Sequence, residues 1–248
     1  SMMITLVLST ISLMIPMSLL TQKGYHSLWV WPILLIAIFF IVNFIITNRQ
    51  ATHPIVHFHT LFSKKPFVGA TMAISSHLTL LTGIAGINVY IVRILKLPFD
   101  ISLHFYFFFF VGVIITGILK MFFYSSVGAG FLGTLGSSAL LYVSIHWIIL
   151  GNTINIPLLY IQGLLLGFGA SMTLVSGSMA TLLDGDLKEA AQRSQTMHTI
   201  RNFSAAMLIP IIAYTIKNHI QKGTQSIYAE NITDKMIYLK KLQDVAID

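Results

Sequence analysis

The sequence predicts an all-α fold, that of a polytopic helical membrane protein with seven transmembrane helices. Hydrophobic residues make up 55% of the chain and charged residues only 9%, whereas soluble domains carry about 25% charged residues. Seven apolar runs fill most of the sequence, and each reaches about 20 residues, enough for a helix to cross roughly 30 Å of hydrocarbon. The formal net charge of +7 fits basic loops that anchor the chain in the lipid bilayer, so it does not indicate binding of nucleic acid.

Two apolar runs, at residues 2–20 and 28–47, open the sequence and are separated by a short polar turn. Tryptophans at the start of the second run suit the headgroup layer of a bilayer. A polar and basic linker follows at residues 48–66. The five later runs cover residues 67–95, 101–123, 127–150, 156–183 and 196–216. Because the loops between these runs are short, we expect neighbouring helices to be antiparallel.

The basic residues of the short loops predict the orientation, because cytoplasmic loops carry an excess of lysine and arginine. With the N-terminus in the cytoplasm, the inside loops hold six such residues, Arg49, Lys64, Lys65, Lys120, Lys188 and Arg193. The outside loops then hold three, Lys23, Arg93 and Lys96. This balance predicts a cytoplasmic N-terminus and an extracytoplasmic polar tail.

Polar side chains inside the spans are the candidates for function, because burying them in a bilayer is costly. No carboxylate lies in the middle of a span, so the usual relay group of proton-driven pumps is missing. His77 lies about 15 Å into its span at helical rise, and His198 and Arg201 share one helix face. Arg201 either faces a cavity or snorkels to the headgroups, and His77 either lines that cavity or is a core histidine bonded to a carbonyl. The predicted cavity-lining or gating residues are His77, Asn88, Gln162, His198, Arg201 and Asn202.

Other features favour helix packing over catalysis. Glycines and serines are dense in the runs at 127–150 and 156–183, and Gly163 and Gly167 have the spacing at which helices approach closely. The sequence has no cysteine and no phosphate-binding, zinc-protease or nucleophile-elbow motif. We therefore predict no enzymatic activity, no catalytic residue, no metal site and no cofactor.

Several short stretches occur in a characteristic order. They are NRQATHP at 48–54, LF at 61–62, KKPF at 64–67, QGLLLGFG at 162–169 and TIRNF at 199–203. In this order they resemble the C-terminal portion of the fourteen-helix drug:proton antiporters of the major facilitator superfamily, where two extra helices and a basic linker precede the C-terminal six-helix domain. The chain departs from that family in having Ser204 where a glycine follows the arginine, and KMFFY at 120–124 where a gating loop stands.

This resemblance implies a partial major facilitator fold. Residues 1–66 would form the two extra helices and the basic cytoplasmic linker, residues 67–218 five helices of the C-terminal transporter half, and residues 219–248 a polar extracytoplasmic loop or tail. The expected function is part of a secondary active transporter, with proton-coupled efflux of small lipophilic compounds by alternating access. The expected partners are the lipid bilayer, an N-terminal transporter half that the chain lacks, a small-molecule substrate and the proton, and the expected location is the bacterial inner membrane.

Two alternatives to transport stay open. The linker histidines His53, His57 and His59 allow an integral membrane enzyme with a histidine-bound metal, although no carboxylate or cysteine lies nearby to complete a metal site. The other alternative is a membrane scaffold that transports nothing.

Overall fold

The structure is a computed structural model that describes residues 2–149 and 154–245. These residues are mostly helical and contain no strand, which confirms the all-α prediction. Six helices among them are long and apolar enough to cross a membrane, as expected of an integral membrane protein. The helices are α1 (Met2–Lys23), α2 (Trp31–Gln50), α3 (Lys64–Val89), α4 (Phe99–Ile148), α5 (Ile156–Leu183) and α6 (Ala190–Val245).

Local sequence signals place several helix ends. The bounds of α5 agree with the prediction, because the Asn155 side chain accepts the N–H of Leu158 (3.2 Å) and a proline occupies the first turn. α3 begins at Lys64 rather than at residue 67, with Pro66 in its first turn. It continues beyond Val89 as one π-helical turn, Tyr90–Ile94.

The helix α4 is too long for one crossing and changes direction inside. Its 50 residues correspond to about 75 Å at helical rise, more than twice the hydrocarbon thickness of a bilayer. The backbone at Gly128 is non-helical, with φ 77° and ψ 169°, a positive φ that glycine adopts without steric cost. α4 therefore consists of two helical segments, 99–127 and 129–148, which correspond to the runs predicted at 101–123 and 127–150.

The two segments of α4 run in opposite directions along α5. The contacts of the first segment are Phe105 with Gly163, Thr116 with Phe168 and Lys120 with Met172. The contacts of the second segment are Gly136 with Thr173, Leu140 with Gly169 and Trp147 with Gln162. In the contacts of the first segment the residue numbers of α4 and α5 rise together, so the two run parallel. In the contacts of the second segment the numbers of α4 rise as those of α5 fall, so the two run antiparallel, and Gly128 is the reversal point of a helical hairpin.

The bundle has two distinguishable ends. We name one the linker end, where α2 ends at Gln50 and α3 begins at Lys64, and the other the far end, which holds the connections 24–30 and 95–98. Gly128 and Lys64 line one cleft at the linker end. α6 runs parallel to α3, because Met197 packs with Ala70 near the linker end, while the far-end parts of the two helices line one groove.

Small residues bring the helices close to α5, as the sequence predicts. A Cβ atom on Gly69 of α3 would lie 2.7 Å from the carbonyl oxygen of Gly177. A Cβ atom on Gly163 would lie 2.8 Å from the carbonyl oxygen of Phe105. At such distances only glycine permits the observed backbone contact, so these glycines serve helix packing.

The last helix is longer than predicted. α6 continues from Ala190 to Val245, so the segment expected as a polar loop or tail from residue 219 is helical through Val245. The physical reason is composition, because residues 217–245 contain no proline and many residues that favour helices. The predicted membrane span ended at residue 216 because the sequence becomes polar there, but a helix can continue through a polar sequence.

The linker between α2 and α3 is held by side chains rather than by regular structure. Asn48, only 2% exposed, donates to the carbonyl of Val56 (2.8 Å) and accepts the N–H groups of Ile55 (3.0 Å) and Val56 (3.1 Å). The N–H of His57 donates to the hydroxyl of Thr196 on α6 (3.1 Å). The bonds of Asn48 fix the linker against the end of α2, and the bond from His57 fixes it against the beginning of α6.

Candidate functional site

Three of the six predicted site residues come together between α3 and α6. His77, His198 and Arg201 are all partly buried, and both imidazoles lie within electrostatic range of the Arg201 guanidinium. His77 lies about 20 Å along α3 from Lys64, and Arg201 lies about 17 Å along α6 from its start. Since α3 and α6 are parallel, these residues form one cluster near the middle of the bundle, which we name the cationic cluster after the charge of Arg201.

The guanidinium of Arg201 is incompletely paired. Its Nε atom is buried and has no hydrogen-bond partner among the described residues. The ion pair that the described residues contain, Lys65 with Asp184 (3.8 Å), lies at the linker end and does not reach the cluster. A buried, charged N–H group without an acceptor is costly, so the cluster is suited to receive an acceptor from another molecule or segment.

Gln162 belongs to a different polar group at the far end. Its side chain is 2% exposed, and its Oε1 accepts the indole N–H of Trp147 (2.7 Å). Its Nε2 lies 2.9 Å from Nδ1 of His146. Sequence reasoning predicted Gln162 but missed its two partners, because this pairing depends on how the second segment of α4 aligns with α5.

The remaining two predicted residues lie apart from both groups. Asn88 accepts a hydrogen bond from the hydroxyl of Tyr106 (2.7 Å), which joins α3 to the first segment of α4. Asn202 is exposed on α6. The six predicted residues therefore do not form one site: three form the cationic cluster, and the other three lie elsewhere.

Two apolar clefts border α3. One, about 700 Å³, is bounded by α3, the second segment of α4, α5 and α6, and its wall includes Trp147 and Tyr90. Leu78 and Thr79, the residues directly after His77, also line it. The other, about 730 Å³, lies between α3 and α6 toward the far end and carries Arg93 and Lys217 at its polar rim. Both clefts have the size and apolar lining of small-molecule sites.

Two basic residues that were assigned to loops are instead partly or fully buried. Arg193 is 1% exposed and donates to the carbonyls of Thr181 (2.9 Å), Leu182 (2.9 Å) and Asp186 (2.7 Å). Lys120 is partly buried, and its Nζ donates to the carbonyl of Met172 (2.9 Å) on α5. Both side chains therefore hold helices together. Without them, the count of basic residues in loops that predicts the orientation falls from six inside against three outside to four inside against three outside.

The linker histidines do not form a metal site in the described part of the chain. His53 and His57 could share a face only on a helix, but the backbone there is not helical, and a 3₁₀ turn starts only at Phe58. The rings of His57 and His59 lie 6.0 Å apart between centroids. Residues 2–149 and 154–245 contain no group of three or more side chains that could hold a metal ion.

Comparison with known proteins adds no assignment. No protein-family model matches the sequence, and no curated protein matches it. The function is therefore inferred from the residues and their geometry.

Proposed function

We propose that the chain is part of a secondary active transporter that exports small lipophilic compounds in exchange for protons. The observation that carries this proposal is the cationic cluster of His77, His198 and Arg201 near the middle of the bundle, with the Nε of Arg201 buried and without an acceptor. Charged groups at the midplane of membrane proteins face substrate or ion pathways far more often than lipid.

The charge of Arg201 requires a negatively charged partner that is not among the described residues of the cationic cluster. A partly buried guanidinium beside two imidazoles repels further cations and is stabilised by a carboxylate or by an anionic ligand. In the transporter we propose, an intramembrane carboxylate of the N-terminal half faces Arg201 in one access state and is withdrawn in the other. Protonation of that carboxylate then favours one state over the other, which couples proton movement to alternating access.

The clefts beside α3 support a lipophilic substrate. Their walls are mainly aliphatic and aromatic side chains, with few charged groups. Such walls bind apolar compounds by removing their surface from water, and they impose little chemical specificity. A substrate bound there would contact α3 and α6, the helices that carry the cationic cluster.

The helical hairpin at Gly128 supports seven membrane crossings. Counting the two segments of α4 separately, the six long helices of the described chain make seven crossings, with neighbouring crossings antiparallel as in the drug:proton antiporters that the sequence resembles. The linker end, which carries Arg49, Lys64, Lys65 and Lys188, is then the cytoplasmic side, and the N-terminus is cytoplasmic.

The test compares efflux by variants of the full-length gene product in bacterial cells that lack their own efflux pumps. We expect Arg201→Ala to abolish energy-dependent export of a lipophilic dye, and Arg201→Lys to restore it only in part, because lysine keeps the charge but not the planar fork of donors. Thr199→Ala, a change at an exposed site on the same helix, is the matched control and should leave export unchanged. Full export by Arg201→Ala at equal expression would favour the scaffold alternative.

A further inference from the structure

A hydrogen-bonded trio near the far end joins α4 to α5. The indole Nε1 of Trp147 donates to Oε1 of Gln162 (2.7 Å), and Nε2 of Gln162 lies 2.9 Å from Nδ1 of His146. His146 and Trp147 are partly buried and Gln162 is almost fully buried. The arrangement is therefore only partly open to water, and its three polar side chains pair with one another.

The chemistry of the three groups fixes where the protons are. An indole N–H can only donate, so the oxygen of the Gln162 amide must face Trp147 and the nitrogen must face His146. An amide nitrogen can only donate, so Nδ1 of His146 accepts and carries no proton. The imidazole is therefore neutral, with its proton on Nε2.

A second proton on His146 is incompatible with this arrangement. With Nδ1 protonated, two donors, the imidazolium N–H and the Gln162 NH₂ group, would face each other. Rotating the amide by half a turn would satisfy His146 but would direct the NH₂ group at the indole N–H of Trp147. In either orientation one of the two hydrogen bonds is lost. The rotated amide is favoured, because a charged imidazolium N–H forms a stronger hydrogen bond with the amide oxygen than a neutral indole N–H does, so protonation of His146 breaks the bond between Trp147 and Gln162.

Trp147 connects this trio to the cleft. Its ring lines the cleft of about 700 Å³ together with Gly83, Tyr90 and Leu166. We infer that His146 is a proton-binding residue of this chain, and that protonation at its Nδ1 releases Trp147 from Gln162 and reshapes the cleft wall. This inference rests on the proposed function only in identifying that proton with the coupling ion of transport.

The surroundings of His146 suit this role. Tyr142 faces it from its own helix, with 6.2 Å between ring centroids, and Gln162 faces it from α5. Tyr90, at the start of the π-helical turn after α3, lines the same cleft as Trp147. The charge of Arg201 influences His77 and His198, which belong to the cationic cluster. The ion pair between Lys65 and Asp184 lies at the linker end, away from His146. The spans have no central carboxylate, and histidine is the side chain whose charge ordinarily changes between about pH 5 and 8.

Trp147 can report its own hydrogen bond. The chain has three tryptophans, and the other two, Trp29 and Trp31, are exposed, so Trp29→Phe/Trp31→Phe leaves one fluorophore. With this chain in lipid nanodiscs, we expect acidification from about pH 8 to 5 to shift the emission maximum to the red and to increase quenching by acrylamide. Both changes should reverse when the pH is raised. A pH-independent spectrum of this chain would overturn the inference without need of any further variant.

Three variants in that background identify the group that titrates. His146→Asn places an amide oxygen near the position of Nδ1, keeps an acceptor for Gln162, and should abolish the transition. Gln162→Leu removes both hydrogen bonds, so Trp147 should be quenched at every pH as it is in acid. His104→Asn changes an exposed histidine whose ring lies 5.7 Å from that of Tyr160, and should leave the transition intact.

A transition that survives His146→Asn, or one that disappears with His104→Asn alone, would refute the role of His146. The readout is independent of transport. If the fluorescence transition occurs but the full-length product moves no substrate, the proton site at His146 stands and the proposed transport is wrong. If the full-length product transports substrate but the transition is absent, the proposed transport stands and the proton site is wrong.

Discussion

Replacing Arg193 by alanine should cost the bundle a large part of its stability. The guanidinium is 1% exposed and donates three hydrogen bonds to carbonyls at the end of α5 and in the turn that follows it. A hydrogen bond to a charged group contributes about 1.5–3 kcal/mol, but the three share one side chain and do not add. Removing one side of a buried charged network costs about 3–5 kcal/mol, and we expect that loss in the free energy of unfolding for Arg193→Ala.

The assay is equilibrium unfolding of the purified chain in mixed micelles, with helicity followed by circular dichroism as the fraction of denaturing detergent rises. Arg193→Lys should lose about half as much, because one ammonium group cannot reach all three carbonyls in the planar arrangement of a guanidinium. Lys188→Ala removes an exposed charge from the same connection and should change the free energy by no more than about 0.5 kcal/mol. A loss below about 1 kcal/mol for Arg193→Ala would refute the reasoning, because it would mean that the three bonds are replaced without cost.

Two further predictions concern packing and topology. Gly69→Ala would place a Cβ atom 2.7 Å from the backbone of α5 and should lower the free energy of unfolding by about 1–3 kcal/mol. Gly86→Ala on the same helix, with no atom within 4 Å of its Cβ, should raise the free energy of unfolding by up to about 1 kcal/mol. Equal effects of the two changes in the same detergent titration would contradict the packing of α3 against α5. Because the sequence has no cysteine, Ser125→Cys and Ile149→Cys, both at exposed positions on either side of the second segment of α4, give single labelling sites. An impermeant maleimide should reach the two sites from opposite sides of the membrane if α4 reverses at Gly128, and labelling of both from one side would exclude the hairpin.

Hydropathy predicted most of the fold because a bilayer imposes a simple length rule. The bounds of α5 agreed with the run at 156–183, and both segments of α4 appear as separate runs in the sequence. The reversal at Gly128 falls at the start of the run at 127–150, close to the break between the two runs. The end of α6 was not predictable by the same rule, because hydropathy marks where a span leaves hydrocarbon and not where a helix stops.

The site was predicted less completely, and the reason is geometric. His198 and Arg201 share a helix face by local spacing, so their proximity follows from the sequence. Their approach to His77 requires α3 and α6 to lie side by side and parallel, which no local pattern specifies. The partnership of Gln162 with His146 likewise depends on the alignment of α5 with the second segment of α4, set by contacts between glycines.

Basic residues show the limit of counting charges along a sequence. Arg193 and Lys120 were counted as loop charges, yet both donate to backbone carbonyls of α5 or of the turn after it. The negative end of α5 attracts Arg193, whereas Lys120 donates to a carbonyl inside α5. A lysine or arginine at the edge of an apolar run is therefore either a topological anchor or a contact between helices. Only the packing of the neighbouring helix distinguishes the two.

The most direct test of the central claim, proton-coupled transport through the cationic cluster, is proton flux in proteoliposomes with a trapped pH-sensitive dye. For the full-length gene product, an imposed gradient of lipophilic substrate should drive proton movement in the opposite direction, and Arg201→Ala should abolish it. The 248-residue chain reconstituted alone should move no protons, because alternating access needs two halves that move against each other. Proton movement that is unchanged in Arg201→Ala, or that the chain performs by itself, would contradict the account.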